Sequence, residues 1–372
     1  MRVIVTGGHL TPALATIQEL KKQPNIEIIF IGRKSTIEGD KTPSAESTII
    51  PKMGIKFIPL TTGRLQRRFT RYTIPSLLKI PFGFAQALKI LLGVKPDVIL
   101  SFGGYLAVPV VVAGKALNIP VITHEQTVES GLANKIIARF ANKVAISWEQ
   151  SLKHFPSKKA ILTGNPVREE MFNLKRVKTM KKLIYVTGGN QGSHVINETL
   201  LSILPDLLDK YEVTHQTGSS EVYKDFEMAK AKYLTLPKRV QEKYKFAKWF
   251  EGNEVAEILS KASLVIGRSG ANMVCELAII GVPAIFIPLP YASHNEQTKN
   301  AQVLEQIGAA VILPQRELTA KRLLAVVEMI MEKFDSYQKK AKEAKKLVPK
   351  DGARRLVEET LALGNKTKSL AR

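Results

Sequence analysis

The 372-residue chain is 45% hydrophobic and 24% charged, which excludes a mainly disordered polymer and, at about 100–200 residues per domain, predicts two domains. Its 55 Lys and Arg against 33 Asp and Glu leave a formal charge of +22, an excess that points to a polyanionic partner. The single cysteine, Cys275, excludes an intramolecular disulfide scaffold and a zinc ribbon, and it suits a reducing cytoplasm.

The opening MRVIVTGGH lacks the apolar core of a signal peptide. Residues 2–8, RVIVTGG, read as a β-branched strand ending in a tight glycine loop, and the pattern from Leu10 to Leu20 reads as the helix that follows. Between Gly63 and Lys95 the chain carries basic residues and no acid, interleaved with apolar ones. Arg67, Arg68, Phe69, Arg71, Tyr72, Leu77, Leu78, Lys79 and Phe82 form a candidate patch for an anionic membrane surface, although part of this apolar set must serve as helix core. Residues 96–126 repeat the plan of strand, glycine turn, helix and strand. Their uncharged run, 98–114, is broken by Gly103, Gly104 and Pro109 and is shorter than the roughly 20 residues of a bilayer span. No transmembrane helix is expected.

The tetrapeptide Val-Thr-Gly-Gly at 5–8 returns at 186–189, again between an apolar strand and an amphipathic helix. This predicts two similar α/β domains, each opening on a central parallel strand. The expected boundaries are an N-terminal domain at 1–165, a basic linker at 166–180, a C-terminal domain at 181–345, and a terminal helix with a basic tail at 346–372. Residues 333–372 carry twelve basic and five acidic side chains, which extend the footprint or form a solvated helix face.

Three double-glycine or glycine-spaced turns, at Gly7-Gly8, Gly188-Gly189 with Gly192, and Gly267 with Gly270, end candidate parallel strands. Alone, each is an ordinary βα turn. Three in one chain favour an anionic nucleotide held on backbone N–H groups and helix N-termini at the carboxyl ends of the sheets. No G-x-G-x-x-G, P-loop, D-x-D or H-E-x-x-H motif occurs, so chemistry without a metal or cofactor is expected.

His9 follows the first glycine pair; a neutral imidazole there suits a general base, and equally a helix-capping histidine. Glu125 ends a strand, where it orients a base, holds a hydroxyl or pairs within a loop. Glu276 sits about one and a half turns into the helix after Gly270, placed for a ribose diol or for Arg268. Gln297 and Asn300, three apart, offer amides to sugar hydroxyls. His154, His194, His215 and His294 show no recurring spacing and are expected at the surface or in loops.

TGGH at 6–9, GGY at 103–105, HEQ at 124–126, GNPVR at 164–168, GGNQG at 188–192, RSGANMVCELA at 268–278 and HNEQTKNA at 294–301 occur in one order over nearly the whole chain. Together they resemble glycosyltransferase family 28, the N-acetylglucosaminyltransferases of peptidoglycan synthesis. That resemblance implies two Rossmann-like domains facing across a cleft, the GT-B fold. It also implies inverting, metal-independent transfer of N-acetylglucosamine from UDP-GlcNAc to the muramoyl 4-hydroxyl of undecaprenyl-pyrophosphoryl-MurNAc-pentapeptide, so that lipid I becomes lipid II. The other readings are a GT-B enzyme using another lipid such as diacylglycerol, and a non-catalytic nucleotide-sugar or nucleic-acid-binding protein. Specific nucleic-acid binding is not expected, since no stacking platform or helix-turn-helix signal is present.

By resemblance His9 and Glu125 are catalytic. Thr6, Gly7, Gly8, Thr127, Arg168, Asn190, Gln191, Gly192, Ala271, Asn272, Met273, Val274, Cys275, Glu276, Gln297 and Asn300 are the implied UDP-GlcNAc set. The implied location is the cytoplasmic face of a bacterial cell membrane. The family loop reads GGTGGH; here Ile4 and Val5 stand at its first two positions, which is expected to stiffen the loop.

Overall fold

The computed structural model describes residues 1–35, 43–63, 73–177 and 182–370. The chain forms two compact units, one of residues Met1–Arg168 with Pro349–Arg372 and one of Glu169–Val348.

The first unit is built on β1 (Arg2–Thr6), β2 (Glu27–Gly32), β3 (Lys56–Pro59), β4 (Val98–Ser101), β5 (Val121–Glu125), β6 (Lys143–Ile146) and β7 (Ala160–Leu162). They pair in parallel in the order β3-β2-β1-β4-β5-β6-β7. The β-branched run of β1 explains its central place, because a parallel strand must be apolar on both faces. Val3 and Val5 face one layer, with Ile17, Leu20, Leu356 and Val357, whereas Ile4 faces the other, with Leu91, Val110 and Val111. Ile4 and Val5 are therefore buried strand residues that contribute to the core and lead directly into the glycine turn.

The terminal helix Gly352–Leu370, which the sequence alone left outside both domains, packs on the helix Leu10–Lys21 and on β4. Leu356 and Val357 are fully buried there, and each contributes about 1.5–3 kcal/mol by leaving water. The tail thereby closes one face of the first sheet.

The second unit holds β8 (Leu183–Thr187), β9 (Glu212–Gln216), β10 (Tyr244–Ala247), β11 (Ala262–Gly267), β12 (Ala284–Phe286) and β13 (Ala310–Ile312). Their parallel order is β10-β9-β8-β11-β12-β13. Ile184, Val186, Leu264, Ile266 and Ile285 pack against the apolar stripes of the helices His194–Lys210 and Ala320–Glu332. In both units the strand order reverses beside the first strand of the unit, between β1 and β4 and between β8 and β11. Open α/β sheets bind ligands at the carboxyl ends of the strands flanking such a reversal.

Candidate active site

In the first unit the reversal brings the turns after β1, β4 and β5 together. Gly7 has φ +139°, and a Cβ on it would lie 2.7 Å from the carbonyl carbon of Phe102, so only glycine lets the two turns approach this closely. The Gly8 N–H then donates to the Gly103 carbonyl at 3.0 Å. This pairing sets His9 at the N-cap of the helix Leu10–Lys21, with Nδ1 2.7 Å from Nε2 of Gln126. Burial pulls the His9 pKa below the ordinary histidine value, and the negative charge of Glu125 opposes that pull. The ring is thus held neutral near pH 7.

Glu125 is buried and is not hydrogen-bonded to His9. Its Oε1 accepts from the Thr127 N–H at 3.0 Å and the Thr127 hydroxyl at 2.7 Å, and its Oε2 accepts from Asn134 Nδ2 at 2.7 Å. Asn134 Oδ1 in turn accepts from the Gly104 N–H at 3.0 Å. Glu125, Thr127 and Asn134 therefore brace the Gly103-Gly104 turn, and Glu125 reaches His9 only through its field. Behind them His124 lies between the Ser147 hydroxyl at 3.1 Å and the Gly164 carbonyl at 3.3 Å, its pKa pushed down to about 3 by burial. Thr6 is buried with its hydroxyl unpartnered, and Arg168 is half-buried at the end of the unit.

In the second unit the loop after β8 folds tightly. The Gly189 N–H donates to the Thr187 hydroxyl at 3.0 Å, and Gly192, at φ +81°, sits where a Cβ would be 2.0 Å from the Thr217 carbonyl oxygen. Ser219 and Ser220 N–H groups donate to the carbonyls of Asn190 and Gln191. The side chains of Asn190 and Gln191 stay exposed, beside the start of the helix His194–Lys210.

Arg268 ties this loop to its neighbours. Its guanidinium donates to the carbonyls of Ile287 at 2.9 Å and Pro288 at 3.2 Å, to the Ser193 hydroxyl at 2.7 Å and to Gln315 Oε1 at 2.8 Å. It is spent on these acceptors rather than on Glu276. On the helix Ala271–Ile280 the residues Ala271, Val274 and Cys275 face inward, while Asn272, Met273 and Glu276 share the more open side. Gln297 Oε1 accepts from the Leu289 N–H at 2.9 Å, and the buried Asn300 donates to the Ser269 carbonyl at 3.4 Å. Both amides brace the loops around the helix N-terminus, where the helix dipole suits a diphosphate.

The family models for the glycosyltransferase family 28 N-terminal and C-terminal domains match residues 1–146 and 183–356. The chain belongs to glycosyltransferase family 28. A relative from Bacillus cytotoxicus named UDP-N-acetylglucosamine--N-acetylmuramyl-(pentapeptide) pyrophosphoryl-undecaprenol N-acetylglucosamine transferase is 34% identical, covering 96% of this chain and 98% of its own. A protein of the same name, numbered 1, from Bacillus cereus is 33% identical with the same coverage. The crystal structure of Acinetobacter baumannii MurG superposes with a TM-score of 0.75 at 26% identity, covering 97% of this chain and 99% of that one. The UDP-GlcNAc 2-epimerase of Neisseria meningitidis, solved with UDP-GlcNAc, shares the fold at a TM-score of 0.69 and 14% identity, over 97% of this chain and 100% of that one. As a family 28 glycosyltransferase, the chain carries both of the α/β domains its repeated Val-Thr-Gly-Gly announces.

Two residues that bond to His9 and Glu125 escaped the sequence reading. Gln126 was visible only as part of HEQ, and Asn134 carries no local signal, since it reaches Glu125 from the following helix, Leu132–Phe140. Two histidines also need correcting. His215, expected at the surface, is fully buried between Tyr244 and Asn197 with its pKa pushed down to about 3 by burial. His194, expected at the surface or in a loop, is half-buried at the start of a helix and pairs with Asp225 at 2.7 Å.

Of the basic and apolar patch, Arg67, Arg68, Phe69, Arg71 and Tyr72 lie outside the described residues, as does the side chain of Leu77. On the helix Thr73–Val94, Ile74, Leu78 and Phe82 are 58%, 71% and 60% exposed at four-residue spacing, so they share one outward face, while Lys79 is half-buried. Among the described residues no helix is long and apolar enough to cross a membrane.

Proposed function

We infer that the protein transfers N-acetylglucosamine from UDP-GlcNAc to undecaprenyl-pyrophosphoryl-MurNAc-pentapeptide, converting lipid I to lipid II. The observation that carries this reading is the 34% identity to a relative of that activity over 96% of the chain. Two switch-point sites support it, one with a neutral histidine and one with helix N-termini suited to a diphosphate. His9 takes the proton of the acceptor hydroxyl; that oxygen forms the bond to the anomeric carbon from the face opposite the nucleotide. The anomeric C–O bond to the diphosphate breaks, and UDP departs with the electron pair. In the loop of Gly188, Gly189, Asn190, Gln191 and Gly192, the backbone N–H groups of Asn190 and Gln191, with the N-terminus of the following helix, stabilise the leaving charge. Glu276 takes the ribose diol, with Asn272 and Met273 beside it. The buried Thr6, Val274, Cys275 and Asn300 shape the walls, and Gln297 carries the loop that meets the sugar.

The test is product formation from UDP-GlcNAc with a lipid I analogue, without added metal, beside a parallel reaction on diacylglycerol. Lipid II and an equivalent of UDP are expected in the first reaction only. Glycosylated diacylglycerol with no lipid II would overturn the acceptor assignment.

The outward face of Ile74, Leu78 and Phe82 supports association with an anionic membrane surface, where apolar side chains enter the interface and basic ones meet headgroups. Burying a Leu or Phe is worth about 1.5–3 kcal/mol. Leu78→Glu combined with Phe82→Glu is therefore expected to weaken co-sedimentation with phosphatidylglycerol vesicles by about tenfold or more, while turnover of a short-chain, water-soluble acceptor is retained. Unchanged sedimentation would remove this helix from the membrane footprint.

A further inference from the structure

His9 can act as a base only if the nitrogen that meets the substrate carries a lone pair. A neutral imidazole holds one proton, so its identity as donor or acceptor is set by what the other nitrogen touches. Among the described residues the ring makes one hydrogen bond, through Nδ1 to the side-chain amide of Gln126 at 2.7 Å. Glu125 does not perform this role: its carboxylate accepts from Thr127 and Asn134 and makes no hydrogen bond to the ring. The Gln126 backbone is held for it: the residue follows β5 and is buried, and its main-chain carbonyl accepts from the Trp148 indole N–H at 3.2 Å.

The amide nitrogen faces Nδ1, and Oε1 is buried without a partner. In that orientation the amide donates to Nδ1, the ring proton sits on Nε2, and no lone pair is left for the acceptor. Taking a proton would also set an imidazolium N–H against an amide N–H, since both ring nitrogens are then donors. The two terminal amide atoms have nearly the same size, and a half-turn exchanges them without moving a neighbour. The carbonyl oxygen then accepts from Nδ1–H, Nε2 keeps its lone pair, and the hydrogen bond persists and strengthens when the ring becomes charged.

We propose that Gln126 is a positioning residue that turns its side-chain carbonyl oxygen to the Nδ1–H of His9, fixing the tautomer in which Nε2 is the base. This rests on the reading of His9 as the base and adds the residue that makes it competent. Glu125, next in the chain, supplies field without a hydrogen bond, so the orientation of the ring and the charge near it are set by separate side chains.

The test uses the full-length enzyme labelled with 15N-histidine, with two-bond proton–nitrogen correlation of the side chains at a pH where His9 is neutral; His9 is identified by the signals lost in His9→Asn. The expected pattern is a protonated Nδ1 and an unprotonated Nε2. In Gln126→Leu that preference is lost and kcat falls by about tenfold or more, with KM for UDP-GlcNAc unchanged. Gln126→Glu keeps an acceptor, so the tautomer is retained and the acidic limb of the pH profile moves to higher pH, because a carboxylate favours the charged ring. A wild-type ring protonated on Nε2 overturns the proposal, as does a Gln126→Leu enzyme with unchanged tautomer and kcat. These outcomes are separate from failure of the base itself: turnover retained in His9→Ala removes the base, whereas an inactive His9→Ala beside a fully active Gln126→Leu removes only the role of Gln126.

Discussion

His9→Ala is expected to lower kcat for lipid II formation by about 10²–10⁴-fold, the usual contribution of a positioned general base. That factor is about 2.7–5.5 kcal/mol of activation free energy. The folded state should be barely affected. His9 is half-buried and its described hydrogen bond is to Gln126 alone, whereas the turn that carries it is fixed by Gly7, Phe102 and Gly103. UDP should still protect the variant against heat, because donor binding is expected from the second unit. The environment of His9 also sets a pH dependence. Burial lowers the His9 pKa, more than the Glu125 charge restores it. The base works when neutral, so a lowered pKa extends full activity to more acidic pH than an ordinary histidine allows, and activity is lost as pH falls through that pKa. Rates of the wild type across pH 4–8 on the roughly 6.5 histidine scale check the sign; an acidic limb above pH 6.5 would contradict it. Retention of full turnover by a folded His9→Ala enzyme would end the base assignment.

Arg268→Met is expected to destabilise the second unit by about 3 kcal/mol, with a loss of about 5–10 °C in its melting temperature. The side chain is largely desolvated, enough to pull its pKa down to about 10, and it serves four acceptors at once. Methionine fills similar volume yet leaves the Ile287 carbonyl, the Pro288 carbonyl, the Ser193 hydroxyl and Gln315 without their donor. Each buried acceptor left unpaired costs about 1–3 kcal/mol, partly recovered where water can enter. Ser193 is the N-cap of the helix after the 188–192 loop, so the same change should raise KM for UDP-GlcNAc. Arg268→Lys should not rescue it, because an ammonium lacks the planar fork that reaches acceptors on both sides. Calorimetry with donor titration measures both effects; a melting temperature within 1 °C of wild type would show that Arg268 does not hold these loops.

Much of this was legible in the residues themselves. The run RVIVTGG required a buried parallel strand and a close-approach turn, because β-branched residues favour strands and only glycine tolerates the backbone at Gly7. Its return at 183–189 announced the second domain for the same reason. The seven motifs in family order pointed to the family and its transferase activity, and His9 and the 188–192 loop stand at the strand ends where the turns were read.

Sequence periodicity by itself determined the strands, the glycine turns, the helices after them and the doubling of the domain, since each depends on neighbours within a few residues. Tertiary structure decided what depends on residues far apart in the chain. It placed Gln126 rather than Glu125 against the His9 ring, 117 positions away, and turned Glu125 into a brace through Asn134. It spent Arg268 on loop carbonyls instead of on Glu276, buried His215, and drew the terminal helix onto the first sheet. A hydrogen bond or an apolar contact between distant residues has no local signature. It forms because a buried polar group must find a partner and an apolar stripe must leave water, and the packed fold alone determines which partner and which surface are within reach.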